Sequence, residues 1–312
     1  MDLRLACAGS LPPMGDPTKY PFSHIDFWLK RQLELQYSIV GTGEPGGRNR
    51  YGMIERFTQD MDGIEVRYRG DKAESYCMGK IRSTTGPEGF NEVTEAKYLA
   101  SLAPSSVVRK ATITDPVTIG FELVAKNPRL MRTYPEIYDD VTEALRPMVA
   151  AISDYVDIIQ FDCPLHVTRT VREPWKYLNE LAKATRKRIW IHIDGNIGQM
   201  LGELIKEYRA DVLNVNIFGK EEESNLMALA EFKSMLRDEG KRLAPAVINT
   251  QIRDRNEEIE SVELIRSRLR RLSSHFDLDM LEAVMPGCGL RLLQGTAQTM
   301  LERLREAVQI LG

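Results

Sequence analysis

Arg188-Ile189-Trp190-Ile191-His192-Ile193-Asp194 is an apolar run, rich in β-branched residues, that ends on polar side chains. Val156-Asp157-Ile158-Ile159-Gln160-Phe161-Asp162 has the same form. Near-continuous apolar runs are what strands covered on both faces require, and such strands belong to parallel sheets flanked by helices. Working outward, eight runs carry this character, at 3–8, 37–41, 107–114, 156–162, 188–194, 212–218, 243–250 and 281–285. Helical spacing fills the later gaps: Val262, Ile265, Leu269 and Leu272 share one face, as do Ala297, Leu301, Leu304, Val308 and Leu311. A helix after Glu221 turns Leu229, Phe232 and Leu236 inward and stops at Gly240, which takes the left-handed conformation easily. Eight βα units in a chain of 312 residues predict an α/β fold, a closed (β/α)8 TIM barrel. A doubly wound sheet is disfavoured because the first βα turn has no GxGxxG fingerprint. The segment 63–84 breaks the rhythm: Ile64, Val66 and Tyr68, then Tyr76, Met78 and Ile81, alternate around Gly70-Asp71-Lys72. It predicts a β-hairpin inserted after strand two, and the chain is expected to form a single domain over 1–312.

Charge narrows the function classes. With 42 Lys and Arg against 45 Asp and Glu, the net charge is −3, without the cationic excess that nucleic acid or an anionic membrane surface selects. No stretch reaches the ~18–20 apolar residues of a membrane span, and Met1-Asp2-Leu3-Arg4-Leu5 leads into strand one without the apolar core of a signal peptide. A cytoplasmic protein acting on a small molecule is expected. The 4 cysteines, Cys7, Cys77, Cys163 and Cys288, are far apart and signal neither a disulfide framework nor a zinc knuckle.

In a barrel of this kind the chemistry sits at the carboxyl ends of the strands. There the sequence places Gly9 and Ser10; Thr42, Gly43 and Glu44; Thr114 and Asp115; Gln160, Asp162 and Cys163; His192, Asp194 and Asn196; Asn214 and Asn216; Asn249 and Gln251; and Cys288. Any single Asp or Asn at such a position serves equally well as a helix cap or turn former. His192 and Asp194 are two apart on a strand and so share a face, able to hold a metal or a proton together. Cys288, between Gly287 and Gly289, offers a thiol for a metal or for nucleophilic attack, and Cys163 offers the same after Asp162. Cys7 reads as core. The loop from Gly41 to Asn49 lacks the GK[ST] of a phosphate loop, and its Glu44 and Arg48 suit a zwitterion, one pole each.

Taken in order, these motifs resemble the catalytic carboxy-terminal barrel of cobalamin-independent methionine synthases, within the wider uroporphyrinogen-decarboxylase and methionine-synthase-like superfamily. The resemblance rests on Ala8-Gly9-Ser10-Leu11-Pro12, Gly43-Glu44-Pro45 through Asn49, Met53-Ile54-Glu55-Arg56-Phe57, Ser75-Tyr76 and Thr114-Asp115-Pro116-Val117-Thr118-Ile119. Ile159-Gln160-Phe161-Asp162-Cys163-Pro164, Ile191-His192-Ile193-Asp194-Gly195-Asn196 and Pro286-Gly287-Cys288-Gly289-Leu290 complete it, so it spans essentially the whole chain and is similar to the single-barrel members. It implies that Ser10, Glu44 and Asp162 line a pocket for an amino acid or thiol. It also implies departures. The positions of the family's His, Cys, Glu and Cys zinc ligands hold His192, Asp194, Asn216 and Cys288, a set shifted toward harder nitrogen and oxygen ligation. The family's proton-donating His falls on Gln251 and a nearby Asp on Asn249, amides that neither give nor take a proton at neutral pH. A pterin-stacking Trp falls on Glu122 and a hairpin Arg near Gly79, so binding of methyl-folate is not expected.

The expectation is a methyl or alkyl transferase for a small thiol or amino acid. Asp162, His192, Cys288 and Cys163 are its catalytic candidates, and Ser10, Glu44, Arg48, Gln160, Asn216 and Gln251 contact substrate. A divalent metal, zinc or a harder ion, sits on His192, Asp194 and Cys288, or no metal is used. A companion protein that delivers the transferred group is a further expectation. The alternatives are a lyase or decarboxylase on the same barrel, whose branch carries an amino-terminal Arg-Gln-Ala-Gly-Arg motif absent here, and a non-catalytic ligand-binding barrel.

Overall fold

The computed structural model describes residues 3–7, 9–14, 22–44, 52–59, 61–69, 72–84, 86–127, 132–168, 171–251, 259–291, 293 and 295–309. Ala8, Arg48, the Gly70-Asp71 turn and Leu311 lie outside the described residues. Six strands run parallel in one sheet, in chain order: Ile39–Gly41, Val108–Thr114, Ile158–Asp162, Arg188–Ile193, Val212–Val215 and Arg242–Leu243. The last continues as Ala246–Ile248, which pairs with Met285–Pro286. Pro245 separates the two pieces because it has no N–H to give to a ladder. Segment 3–7 closes the ring: Leu5 bridges Val284 and Ala6 bridges Ile39, both parallel. Ala6 N–H donates to Val284 O at 3.0 Å on one side, and Ile39 N–H to Leu5 O at 3.1 Å on the other. The eight runs read from the sequence thus make the expected (β/α)8 barrel.

Alternation along the strands sorts side chains into two cores. Ala6, Ile39, Ile158, Trp190, Val212, Ala244, Ala246, Ala283 and Met285 fill the barrel interior with Phe218. Their neighbours, such as Ile113, Ile159, Ile191 and Leu213, point outward and pack under the helices. Ile265, Leu269 and Leu272 of Val262–His275 and Ala297, Leu301 and Leu304 of Ala297–Gln309 are the inward faces expected. The helix after Glu221 is two pieces, Glu222–Glu231 and Lys233–Asp238, joined at Phe232 and ended near Gly240, whose φ is 63°. The amino-terminal end of the barrel is closed by Glu282, buried and ion-paired to Arg4 at 2.9 Å, to Arg188 at 2.7 Å and to Arg242. That plug fills the barrel interior at this end.

The hairpin is present as Met61–Arg69 paired antiparallel with Lys72–Ser83. Its inward face differs from the alternation read in the sequence: Ala73, Ser75, Cys77 and Ile81 are buried, while Tyr68 and Met78 are more than half exposed. The register shifts between Asp62 and Ile64, where Gly63 has φ 78° and any Cβ would sit 2.2 Å from Lys80 O. Among the described residues no helix is long and apolar enough to cross a membrane.

Candidate active site

The strand register brings Thr114, Asp162 and His192 to one height, with Asn214 beside His192. Four neighbouring strands therefore deliver polar groups to the same level. His192 is buried, and its Nδ1 is hydrogen-bonded to Asn214 Oδ1, while Asn214 Nδ2 donates to the Ala244 carbonyl. A carbonyl only accepts, so the amide nitrogen must face Ala244 and the amide oxygen must face the imidazole. Nδ1 then carries the proton. Nε2 is buried and makes no hydrogen bond, with Asp194 Oδ1 3.4 Å away. Asn216 Nδ2 donates to that same Asp194 oxygen at 2.8 Å. The ligand atoms of His192, Asp194 and Cys288 all lie within 4.8 Å of one another.

This arrangement fits a divalent metal. A buried imidazole nitrogen without a hydrogen bond, oriented by a hydrogen bond on the other ring nitrogen and converging with a carboxylate and a thiol, is a donor set that such an ion can take. Burial lowers the pKa of His192, but the Asp194 carboxylate and the contacts with Asp194 and Cys288 outweigh it and push the imidazole well above its ordinary value. Burial works to raise Asp194, and the nearby His192 and the Asn216 hydrogen bond carry it below the usual carboxylate range.

Across the mouth, Gly43 and Glu44 both adopt left-handed backbone, φ 73° and 49°, and turn the chain inward after Ile39–Gly41. Only glycine fits at 43, since a Cβ there would lie 2.9 Å from His24 Nε2 and 3.0 Å from Leu11 Cδ1. His24 Nε2 donates to Gly43 O at 3.1 Å and its Nδ1 accepts from Met14 N–H at 3.3 Å. Burial lowers His24 to about 4, so it stays neutral as a clamp on the turn. The Glu44 carboxyl passes close over Gly9, where a Cβ would lie 2.4 Å from Oε1, and that oxygen is buried without a hydrogen bond. Burial raises Glu44 to about 7 despite Arg56 at 3.8 Å. Arg56 is largely committed elsewhere, to Glu92 at 2.9 Å and Glu95 at 3.0 Å. Asp162 accepts from Gln160 Nε2 at 2.8 Å, and burial raises it while His192, Gln160 and Lys110 oppose.

The structure thus gathers Glu44, Gln160, Asp162, His192, Asp194, Asn216 and Cys288 at one end of the barrel. Ser10 is also there: its carbonyl accepts from Leu290 N–H at 2.6 Å and its Oγ occupies the space a Cβ on Gly289 would take. Gln251 is exposed on the rim, its N–H held by Asn249 Oδ1 at 2.8 Å. Arg48 lies outside the described residues. Cys163 neighbours His192 along the backbone, its N–H donating to His192 O at 2.9 Å, but its thiol is not brought to the imidazole. With Asp162 facing inward, the next side chain faces outward, and Cys163 is fully buried under the helices with a thiol that burial, then Asp115 and Asp162, push well above its usual pKa. The expectation of Cys163 as a catalytic nucleophile is therefore corrected to a core position.

Cys163 belongs to a second cluster, with Asp115 and His166, whose ligand atoms are equally close. Here every polar atom has a protein partner. Asp115 caps Pro116–Lys126, accepting from Val117 N–H at 2.8 Å and Thr118 N–H at 3.2 Å, and it also accepts from the Thr118 hydroxyl and from His166 Nε2 at 2.9 Å. Tyr208 OH donates to His166 Nδ1 at 2.7 Å. The cap reading holds at Asp115. Sequence reasoning passed over Lys110, Arg56 and His24 and left Asn214 without a role. Strand parity would have found Lys110, which is two and four residues from Thr112 and Thr114 on the interior face.

The chain is similar to methionine synthases. It is 26% identical over 301 residues to the methionine synthase of Methanocaldococcus jannaschii, covering 91% of this chain and 87% of that protein. It is 26% identical over 260 residues to the methionine synthase of Sulfolobus acidocaldarius, covering 80% and 70%. Among solved structures, a B12-independent methionine synthase from Shewanella in complex with selenomethionine superposes with a TM-score of 0.77 at 18% identity, over 100% of this chain and 98% of that one. A methyltransferase from Methanosarcina mazei gives 0.69 at 14% identity, over 99% and 94%. No family model matches the chain.

Proposed function

We propose that this chain, a member of the cobalamin-independent methionine-synthase-like barrels, is a methyltransferase whose acceptor is the thiol of a small α-amino acid such as homocysteine. The observation that carries the reading is the buried His192 Nε2, which makes no hydrogen bond, converging with Asp194 and Cys288 opposite the carboxylates of Glu44 and Asp162. The sequence likeness to two archaeal methionine synthases supports it.

In the reaction the acceptor's S–H gives up its proton to water. A sulfur lone pair attacks the methyl carbon, the S–C bond forms, and the bond from methyl to donor breaks with its electron pair leaving on the donor. A divalent ion held by His192, Asp194 and Cys288 would supply Lewis-acid stabilisation of the thiolate, a role zinc fills with nitrogen, oxygen and sulfur ligands. Asn214 keeps the His192 lone pair at Nε2, and Asn216 holds the Asp194 carboxylate. Glu44 and Asp162 bind the acceptor's ammonium, which replaces the hydrogen bond that Glu44 Oε1 lacks. Two carboxylates kept from solvent are also what fixes the amino acid relative to the metal-binding side chains, so orientation is part of their contribution.

The donor is read as something other than a methyl-folate, supplied free or by a companion protein. Glu122, where the pterin-stacking Trp is expected, is partly exposed and ion-paired at 3.9 Å to Lys126. Metal analysis and calorimetry of metal-replete protein test the proposal. The expected result is one divalent ion per chain and saturable binding of homocysteine. Protein that stays metal-free after metal-replete growth and binds neither homocysteine nor methionine overturns it.

A further inference from the structure

Lys110 stands on the inner face of Val108–Thr114, 2% exposed, in a barrel interior whose cluster of Ala6, Ile39, Ile158, Trp190 and Val212 is apolar. Burying an ammonium is costly unless its donors are used and its charge is answered. Its Nζ donates to Gln160 Oε1 at 2.6 Å and lies 5.7 Å from the centre of the Trp190 ring. The charges it faces are Glu44 and Asp162 above it, with the Cys7 thiol also in its field. Gln160 is itself 1% exposed, and its Nε2 donates to Asp162 Oδ1 at 2.8 Å.

The chemistry of the three groups fixes the direction of the chain. An ammonium has only donors, so the Gln160 amide must turn its oxygen toward Lys110 and its nitrogen toward Asp162. A free glutamine could flip and present its oxygen to the carboxylate, which would repel it. Lys110 forbids that flip from the layer below the mouth.

We infer that Lys110 is a positioning residue for ammonium recognition: through Gln160 it pins the Asp162 carboxylate in the orientation that takes the α-ammonium of the acceptor. This rests on the reading above that Asp162 binds that ammonium. Lys110 touches no substrate and acts through two hydrogen bonds. Its effect is therefore confined to ligands that carry the ammonium, which a purely structural role would not be.

The test compares two ligands by calorimetry on the metal-loaded protein: homocysteine, and 4-mercaptobutyrate, which is the same molecule without the amino group. Lys110→Met keeps the length and removes the donor and the charge. It is expected to weaken homocysteine about ten-fold, the scale of a hydrogen bond to a charged group, and to leave 4-mercaptobutyrate within about two-fold. Gln160→Glu is the second variant, and it carries the test if Lys110→Met does not fold. It keeps an oxygen for Lys110 but sets an acceptor against Asp162, and the same selective loss is expected. Equal losses for both ligands, or no loss for either, overturn the inference while leaving the substrate reading intact. Wild-type protein that binds 4-mercaptobutyrate but not homocysteine, or neither, overturns the substrate reading and the relay with it.

Discussion

Among the described residues are two histidine, aspartate and cysteine clusters, each with its ligand atoms within 4.8 Å, and their hydrogen bonding differs. In His166, Asp115 and Cys163 the imidazole is spent at both nitrogens, on Tyr208 and on Asp115, and the side chains of His166 and Asp115 have no exposure. In His192, Asp194 and Cys288 one imidazole nitrogen is spent on Asn214 and the other makes no hydrogen bond, with Asp194 Oδ1 at 3.4 Å, while Asp194 and Cys288 are partly exposed. Residue type and proximity are the same. What separates the proposed metal site from the structural cluster is whether every imidazole nitrogen has a hydrogen bond within the protein.

The sharpest way to break that comparison is to remove each imidazole. His192→Ala should lose the metal altogether, a larger effect than the roughly 10–100-fold that loss of a second-sphere partner costs in affinity. His166→Ala should keep a full equivalent of metal in the same assay. Metal retained by His192→Ala, or lost by His166→Ala, would exchange the roles of the two clusters.

The closed cluster should show itself in stability instead. Asp115→Ala removes a helix cap and leaves His166 Nε2 without an acceptor in a buried site. Together these are expected to destabilise the fold by about 2–4 kcal/mol in denaturant unfolding, with metal content unchanged. A smaller effect is expected from the residues that hold the two rings. Asn214→Leu should weaken metal about 10–100-fold by freeing the His192 tautomer. Tyr208→Phe, its counterpart beside His166, should leave metal affinity alone and lower stability by about 1 kcal/mol. Equal metal affinities in the two variants would remove the distinction drawn from Asn214.

Much of this contrast was open to a reader of the sequence, and the part that was not has a physical cause. Runs such as 156–162 and 188–194 carry the barrel because a strand covered on both faces has no other composition available to it. The same alternation that turns Asp162 inward sends Cys163 outward, and parity also marks Lys110 as an interior residue; Cys288 lies beyond the strand end at Pro286, where alternation no longer applies. The pairing of Arg56 with Glu92 and Glu95 was not legible, because the partners stand 36 and 39 positions apart and the contact depends on how Asn91–Leu102 docks. Nor was the tautomer of His192, which is decided by the carbonyl of Ala244 two strands away. Types at strand ends predict a site; the hydrogen bonds between strands decide what the site can hold.

The weakest effect expected, and the one that extends the comparison from metal to charge, concerns Glu44. Burial holds its pKa near 7 against an ordinary 4.5, and Arg56, shared with Glu92 and Glu95, only partly offsets this. A carboxyl with a raised pKa in the fold is stabilising relative to its ionised form only while protonated. Its contribution is therefore complete below about 4.5 and lost as the pH rises through 7. Glu44→Gln cannot ionise, so its thermal midpoint should exceed that of the wild type at pH 8, with the gap closing between pH 7 and 4.5. The same variant should bind homocysteine more weakly, since an amide answers an ammonium less well than a carboxylate does. The open end of the barrel would then be paying in stability for its ligand, as binding sites often do. A variant that is less stable than wild type at pH 8 would instead show that Arg56 prevails over burial, and Glu44 would move from the ligand's side of the mouth to the structural side, with Asp115.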